Sequence, residues 1–236
     1  MSNPFIREQM ALGADALEKL KCAHVAVFGI GGVGSYTAEA LARAGVGNIT
    51  LVDNDTVGLS NINRQLCALH STIGKYKAQV MADRIKDINP ECNVRAICKL
   101  YTDEDKALFF DTGYSYIADC IDLVSCKLSL ILNARERGIP ILSALGTGNK
   151  LDPTQFSITD ISKTSGCPLA RVIRKELRAR GIHHHTVLFS PEEPLTPNAL
   201  EVPPPGRRSI PASVSWVPSV AGLMIAGQII LELTKE

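Results

Sequence analysis

The chain has 236 residues, 45% of them hydrophobic and 21% charged, a balance that fits an ordinary globule and excludes a disordered or collagen-like chain. A net charge of +1 gives no general attraction to a polyanion, and seven cysteines, an odd number without a C-x-x-C pair, exclude a disulfide framework and fit a reducing cytoplasm. The opening MSNPFIREQM lacks a basic region followed by an apolar core, so no signal peptide is expected, and the length suits a single α/β domain spanning 1–236.

In chain order, residues 14–20 read as helical, and Arg7 precedes them without an obvious local partner. Residues 24–28, HVAVF, form an apolar run with β-branched members and predict a buried strand. Gly29, Gly31, Gly32 and Gly34 follow in the G-x-G-x-x-G neighbourhood, and the alanine-rich stretch 35–44 predicts a helix that Gly45 ends. Glycines between a strand and a helix permit a tight turn and let a phosphate approach the backbone and the helix N-terminus. A second strand, 49–52, ends in Asp53, where a Rossmann-type site holds the ribose hydroxyls. Then come Asp55 and the polar run Ser60, Asn61, Asn63, Arg64 and Gln65. A hydride-transfer site has no general need for such a run, whereas a triphosphate does: Arg is a planar fork for phosphate oxygens, and Asn and Gln are neutral donors.

A helix is predicted from 75 to about 88, with Lys77 in its first turn, where a nearby phosphate would offset the unfavourable helix dipole. Strands are expected at 94–98, 116–120 and 139–142, with helices at 103–110 and 124–137. Asp119 and Asp122 lie at the carboxyl end of the 116–120 strand, the edge at which open α/β sheets bind ligands. Asp122 is either the N-cap of the following helix or a ligand-side carboxylate. The loop 143–149 is expected beside the pocket, and 156–161 is expected to add an antiparallel strand. A helix at 168–180 opens after Cys167 with Pro168 in its first turn. Leu169, Val172, Ile173 and Leu177 form its expected apolar face, and Arg171, Arg174, Lys175 and Arg178 its basic one. From 163 to 185 there are six Lys or Arg against one acid, Glu176. The basic stripe is either a solvated face or a contact for a nucleic-acid backbone. His183, His184 and His185 are a poor metal site without further ligands. Residues 191–211 carry seven of the thirteen prolines and predict a mobile loop. A strand is expected at 213–217 and a final helix at 217–234. The apolar run 220–230 is too short to span a bilayer, so no stable membrane insertion is expected.

The phrases GIGGVGSYTAEALARAGVGNITLVDND, NINRQ, INPEC, YSYIADCID, DPTQFSITDISKT and PLA resemble the ubiquitin-activating-enzyme-like superfamily of ThiF and MoeB type. Within it they are most similar to the tRNA threonylcarbamoyladenosine dehydratase branch. The absence of C-x-x-C pairs counts against the sulfur-carrier activators. The resemblance implies a Rossmann-like, doubly wound, mostly parallel sheet with flanking helices and an antiparallel C-terminal extension. Residues 24–150 would form the nucleotide-binding core, and 151–236 the substrate-binding part. It implies ATP and magnesium, with Asp122 as the magnesium-side carboxylate and Arg64 and Lys77 on the phosphates. It also implies a homodimer in which Arg7 reaches the neighbouring subunit's site, and a tRNA whose threonyl carboxylate is adenylated and closed to a ring. A covalent enzyme intermediate is not required, so Cys167 need not be a nucleophile, although its place at a helix start beside Lys163 would favour the thiolate. A sulfur-relay protein of the cysteine desulfurase kind remains open as a partner. Two alternatives remain beside the tRNA reading: adenylation of a sulfur carrier ending in Gly-Gly, and a non-catalytic, nucleotide-dependent RNA-binding protein.

Overall fold

The computed structural model describes residues 3–198, 200 and 210–235. Seven strands form one sheet in the order β3-β2-β1-β4-β5-β7-β6. They are β1 (His24–Phe28), β2 (Asn48–Val52), β3 (Asn93–Ile97), β4 (Tyr116–Asp119), β5 (Ile141–Ala144), β6 (Ser157–Asp160) and β7 (Thr186–Phe189). All neighbours run parallel except β6 and β7, which are antiparallel. The strand order reverses between β1 and β4, so the loops after β1, β2, β4 and β5 share one edge around a switch point.

Both faces of the central strands are covered, which explains their uninterrupted apolar character. Val25, Val27, Ile49 and Leu51 point into one core, and Ala26, Phe28, Val52 and Ile117 into the other, as period-two alternation requires. The first core is capped by α2 (Ala14–Cys22), α3 (Gly34–Arg43), α4 (Lys77–Ile88) and α8 (Trp216–Thr234). The second is covered by α5 (Lys106–Phe109), α6 (Val124–Glu136) and α7 (Pro168–Arg178). α1 (Ile6–Leu12) is separated from α2 by Gly13, at φ 93°, and buries no residue.

Several expectations need correction. β7 was not foreseen: it joins β5 to β6 and carries the sheet into the C-terminal part. The stretch 213–217 is not a strand, because Trp216 and Val217 already belong to α8, and Pro218 is tolerated in its first turn. α8 is therefore longer than its most apolar run. Its 19 residues, with a mean hydropathy of 1.5, reach the length and composition of a membrane span. Here Val217, Ala221, Ile225, Ala226 and Ile229 are buried, and the helix lies against α3. The approach is close: a Cβ on Gly222 would come within 2.9 Å of the Tyr36 Cβ. Residues 191–198 contain no regular element. Of the rest of the expected proline-rich loop, residues 199 and 201–209, with Glu201, Arg207 and Arg208, lie outside the described residues.

Candidate active site

The glycine turn is built by steric necessity. Gly29 adopts φ 87°, and a Cβ there would sit 2.7 Å from the Cys120 carbonyl oxygen. A Cβ on Gly34 would collide with the Gly29 carbonyl, so Gly34 lets α3 pack onto β1 and does not itself line the cavity. Gly29, Gly31 and Gly32 do line it. The cavity has a volume of about 740 Å³ and runs along the carboxyl ends of β1, β2, β4 and β5.

Asp53 fastens the turn to the end of β2. Its Oδ2 accepts from the Ile30 amide at 2.6 Å, and its Oδ1 from the Asp55 amide at 2.7 Å. Burial pushes its carboxyl pKa up, against those two hydrogen bonds and the charge of Lys77. Each oxygen keeps a lone pair for a hydroxyl donor. Lys77 is the first residue of α4, nearly buried, and its ammonium meets Asp55 Oδ2 at 2.8 Å. In this structure Asp55 thus supplies the offset to the helix dipole that the sequence reading assigned to a phosphate.

Residues 59–61 form a short 3-10 turn that delivers Asn61, Arg64 and Gln65 to the wall. Arg64 Nη1 donates to the Ser60 carbonyl at 2.7 Å and to Asn63 Oδ1 at 2.9 Å, and burial lowers its pKa. Two expected ligand residues stand back from the cavity. Ser60 contributes its carbonyl to Arg64, and Asn63 donates from its amide to the Ser213 carbonyl at 2.9 Å, tying the arginine loop to the approach to α8.

The two carboxylates after β4 separate cleanly. Asp119 is fully buried and paired with the equally buried Lys127 at 2.6 Å, whereas Asp122 is exposed and lines the cavity. The N-cap position of α6 is Leu123. Among the described residues no group of three His, Cys, Asp or Glu converges as a metal cage. An exposed carboxylate on the cavity wall, as Asp122 is, suits a cation that takes its remaining ligands from nucleotide phosphates and water. His184 faces Asp160 at 3.3 Å, while His185 is buried and meets Ser143 Oγ through Nε2 at 2.8 Å. Burial, with Lys127 and Arg135, holds the His185 pKa down to about 3.

Other lining residues were missed or misassigned from sequence. Lys99, Leu100 and Tyr101, after β3, line the cavity, as do Lys150 and the buried Cys167, which caps α7. Lys163 is exposed, and the lysine that shares the cavity wall with Cys167 is the buried Lys150. On α7 the buried residues are Ala170, Ile173 and Leu177, and Val172 is 44% exposed, so the packed face is rotated from the expected one. Arg174 is drawn off the basic stripe: its Nη1 donates to the Thr164 carbonyl at 2.8 Å and to the Thr164 hydroxyl at 2.5 Å. Arg171, Lys175 and Arg178 remain exposed, away from the cavity. Arg7 is exposed on α1, and the preceding Phe5 packs by Gly45, which leads into the start of β2 at the sheet edge opposite the cavity.

Comparison with known proteins agrees with this geometry. The ThiF family profile matches residues 6–236. A tRNA threonylcarbamoyladenosine dehydratase of Bacillus subtilis is 45% identical over 245 residues, covering 100% of this chain and 96% of the relative. A namesake from Escherichia coli is 47% identical over 71% of this chain and 62% of its own length. The crystal structure of the E. coli tRNA N6-threonylcarbamoyladenosine dehydratase in complex with ATP superposes with a TM-score of 0.88 at 36% identity, covering 98% of this chain and 93% of that one. With its glycine turn, its arginine loop and its matched length, the chain belongs to the ThiF family, in the branch of the tRNA threonylcarbamoyladenosine dehydratases.

Proposed function

We propose that the protein is an ATP-dependent tRNA dehydratase, which adenylates the threonyl carboxylate of threonylcarbamoyladenosine at position 37 and closes it to the cyclic form. The observation that carries this reading is one cavity of about 740 Å³, walled on one side by the glycine turn, Arg64 and Lys77 and on the other by residues 146–150 and 167–169. Gly29, Gly31 and Gly32 cradle the phosphates, with Asn61, Arg64, Gln65 and Lys77 as donors. Asp53 accepts from the ribose. Leu100 and Leu123, exposed aliphatic residues of the wall, offer apolar surface to the base. Asp122 would hold magnesium, which supplies neutralisation of phosphate charge when bound.

The chemistry needs positioning more than protein-derived covalent steps. The carboxylate oxygen attacks the α-phosphorus, and the bond to pyrophosphate breaks. Arg64 and Lys77 stabilise the charge developing on the leaving group. An intramolecular nucleophile of the modified base then attacks the acyl carbon, loses its proton and expels AMP. The former carboxylate oxygen departs on AMP, so the nucleoside loses the elements of water.

Arg7 is proposed to act on a partner subunit's site. α1 has no fully buried residue, and while Leu12 packs on the core of its own chain, Ile6 and Met10 are exposed, which fits a covered surface in a homodimer. Arg171, Lys175 and Arg178 are proposed to hold the tRNA backbone. The seven free cysteines fit a cytoplasmic setting. The test is incubation with ATP, magnesium and threonylcarbamoyl-modified tRNA: AMP appears and the digested nucleoside becomes about 18 Da lighter. AMP release with a Gly-Gly sulfur carrier and none with tRNA would overturn the reading in favour of sulfur-carrier activation. Tight RNA binding without AMP from either would favour the non-catalytic alternative.

A further inference from the structure

The cavity is unevenly charged. Its nucleotide half balances Arg64, Lys77 and Lys99 against Asp53, Asp55 and Asp122. Its other half is formed by residues 146–150 after β5, by Cys167, Pro168 and Leu169, and by Pro194 and 211–213. Among the described residues lining that half, Lys150 is the one charged side chain. The strand order places its loop beside the Asp122 loop, on the far side from Asp53.

Lys150 is 3% exposed, and its ammonium donates to the main-chain carbonyl of Glu192. The Glu192 carboxylate is turned elsewhere, accepting from the amides of Leu151 at 2.8 Å and Asp152 at 3.2 Å. An ammonium has three donors, and a carbonyl neutralises no charge. Burial pulls the Lys150 pKa down, and the nearby Glu192 carboxylate and Cys167 offset that only in part. The loop that carries it is fixed. Asn149, at φ 58°, exchanges hydrogen bonds with Ala212 through its amide and its Oδ1 and accepts from the Leu195 amide. A buried, fixed cation that makes no direct ion pair among the described residues, at the wall of a cavity, is a site for an anion.

We infer that Lys150 binds the acceptor's carboxylate and selects for it, so that the second half of the cavity recognises a carboxylate anion and discriminates against its neutral analogues. The inference rests on the adenylation reading above. A carboxylate brought up to a triphosphate is repelled by it, and a cation on the acceptor side offsets that repulsion and fixes the attacking oxygen. A purely structural lysine, holding only the Glu192 carbonyl, would influence charged and neutral acceptors alike.

The experiment is a cycle between protein and ligand on the full chain. The ligands are a threonylcarbamoyl-modified anticodon stem-loop and the same RNA with the threonyl carboxylate converted to its primary amide. Wild type is expected to bind the acid about ten- to a hundredfold more tightly than the amide, as for a charge-assisted hydrogen bond. Lys150→Gln should lose that preference while binding ATP as wild type does, and Lys150→Arg should retain much of it. Lys150→Met takes the place of the glutamine variant if the latter does not fold, judged by its thermal midpoint. If the neutral variant keeps the preference, or weakens acid and amide equally, the Lys150 assignment is overturned while the adenylation reading stands. If wild type itself releases no AMP with the modified RNA, the adenylation reading falls and this inference falls with it.

Discussion

His185 makes stability depend on pH in a way that one substitution isolates. The ring is 5% exposed, at hydrogen-bond distance from Ser143 Oγ, with Lys127 and Arg135 raising the cost of a proton and Asp160 lowering it. Its pKa falls from 6.5 to about 3 on folding. At neutral pH both folded and unfolded chains carry it uncharged, and its contribution is fully present. Below about pH 6.5 the unfolded chain takes up a proton that the folded chain refuses, so stability is lost as the pH falls. By linkage the loss is about 2 kcal/mol at pH 5 and approaches about 5 kcal/mol near pH 3. Urea unfolding of wild type and His185→Gln, each at pH 7.5 and pH 5 and at one protein concentration, measures it. His24, whose pKa burial also lowers, is common to both chains and cancels. Wild type should lose about 2 kcal/mol more than the variant. Equal losses, or a His185 resonance titrating near its unperturbed value, would refute the reasoning.

Asp122→Ala should shift the thermal midpoint by only a few degrees, because the side chain is exposed, and reduce AMP release by about a hundredfold or more; near-normal release would remove Asp122 from the site. Arg7→Ala and Lys77→Ala chains should each be inactive alone, and a reassembled mixture should regain up to about a quarter of wild-type activity, as one intact site in each mixed dimer allows; a monomer in sedimentation excludes the idea. Arg171→Ala with Arg178→Ala should weaken tRNA binding without affecting ATP and flatten the salt slope by about two, whereas Arg174→Ala should instead cost about 1–3 kcal/mol of stability by orphaning Thr164. A double variant that binds tRNA as wild type does across a salt series would make the stripe a solvated face.

The parts of the site that could be read from the chain are those whose chemistry is local. A strand, a glycine turn, a helix and an acid lie within thirty residues, from His24 to Asp53, and each constrains the next. Lys77 was visible because a cation in the first turn of a helix calls for a partner, although that partner here is Asp55, 22 positions away. What escaped depends on contacts distant in sequence. β7 is four residues long, follows three histidines, and exists because β5 offers it a parallel neighbour. Arg174 fits a basic stripe until Thr164 folds back beneath it, and Val172 fits an apolar one until the packing of Ala170, Ile173 and Leu177 rotates the helix. Lys150 gave no signal at all, since neither its burial nor the Glu192 carbonyl is written near it. The stretch 213–217 looked like a strand because a few apolar residues read alike in either state until the length of α8 decides.

The seating of Gly222 against Val33, Tyr36 and Thr37 has a consequence for biosynthesis. The glycine turn leaves the ribosome well before the helix that buttresses it. Thr37 donates its hydroxyl to the Gly222 carbonyl at 3.1 Å, and the Pro218 ring backs Gly32. Until α8 has emerged, that flank of the glycine turn is bare and its apolar wall faces water. Nucleotide affinity is thus a late acquisition of the growing chain, and a nascent polypeptide stalled before residue 216 should not be retained on an immobilised nucleotide.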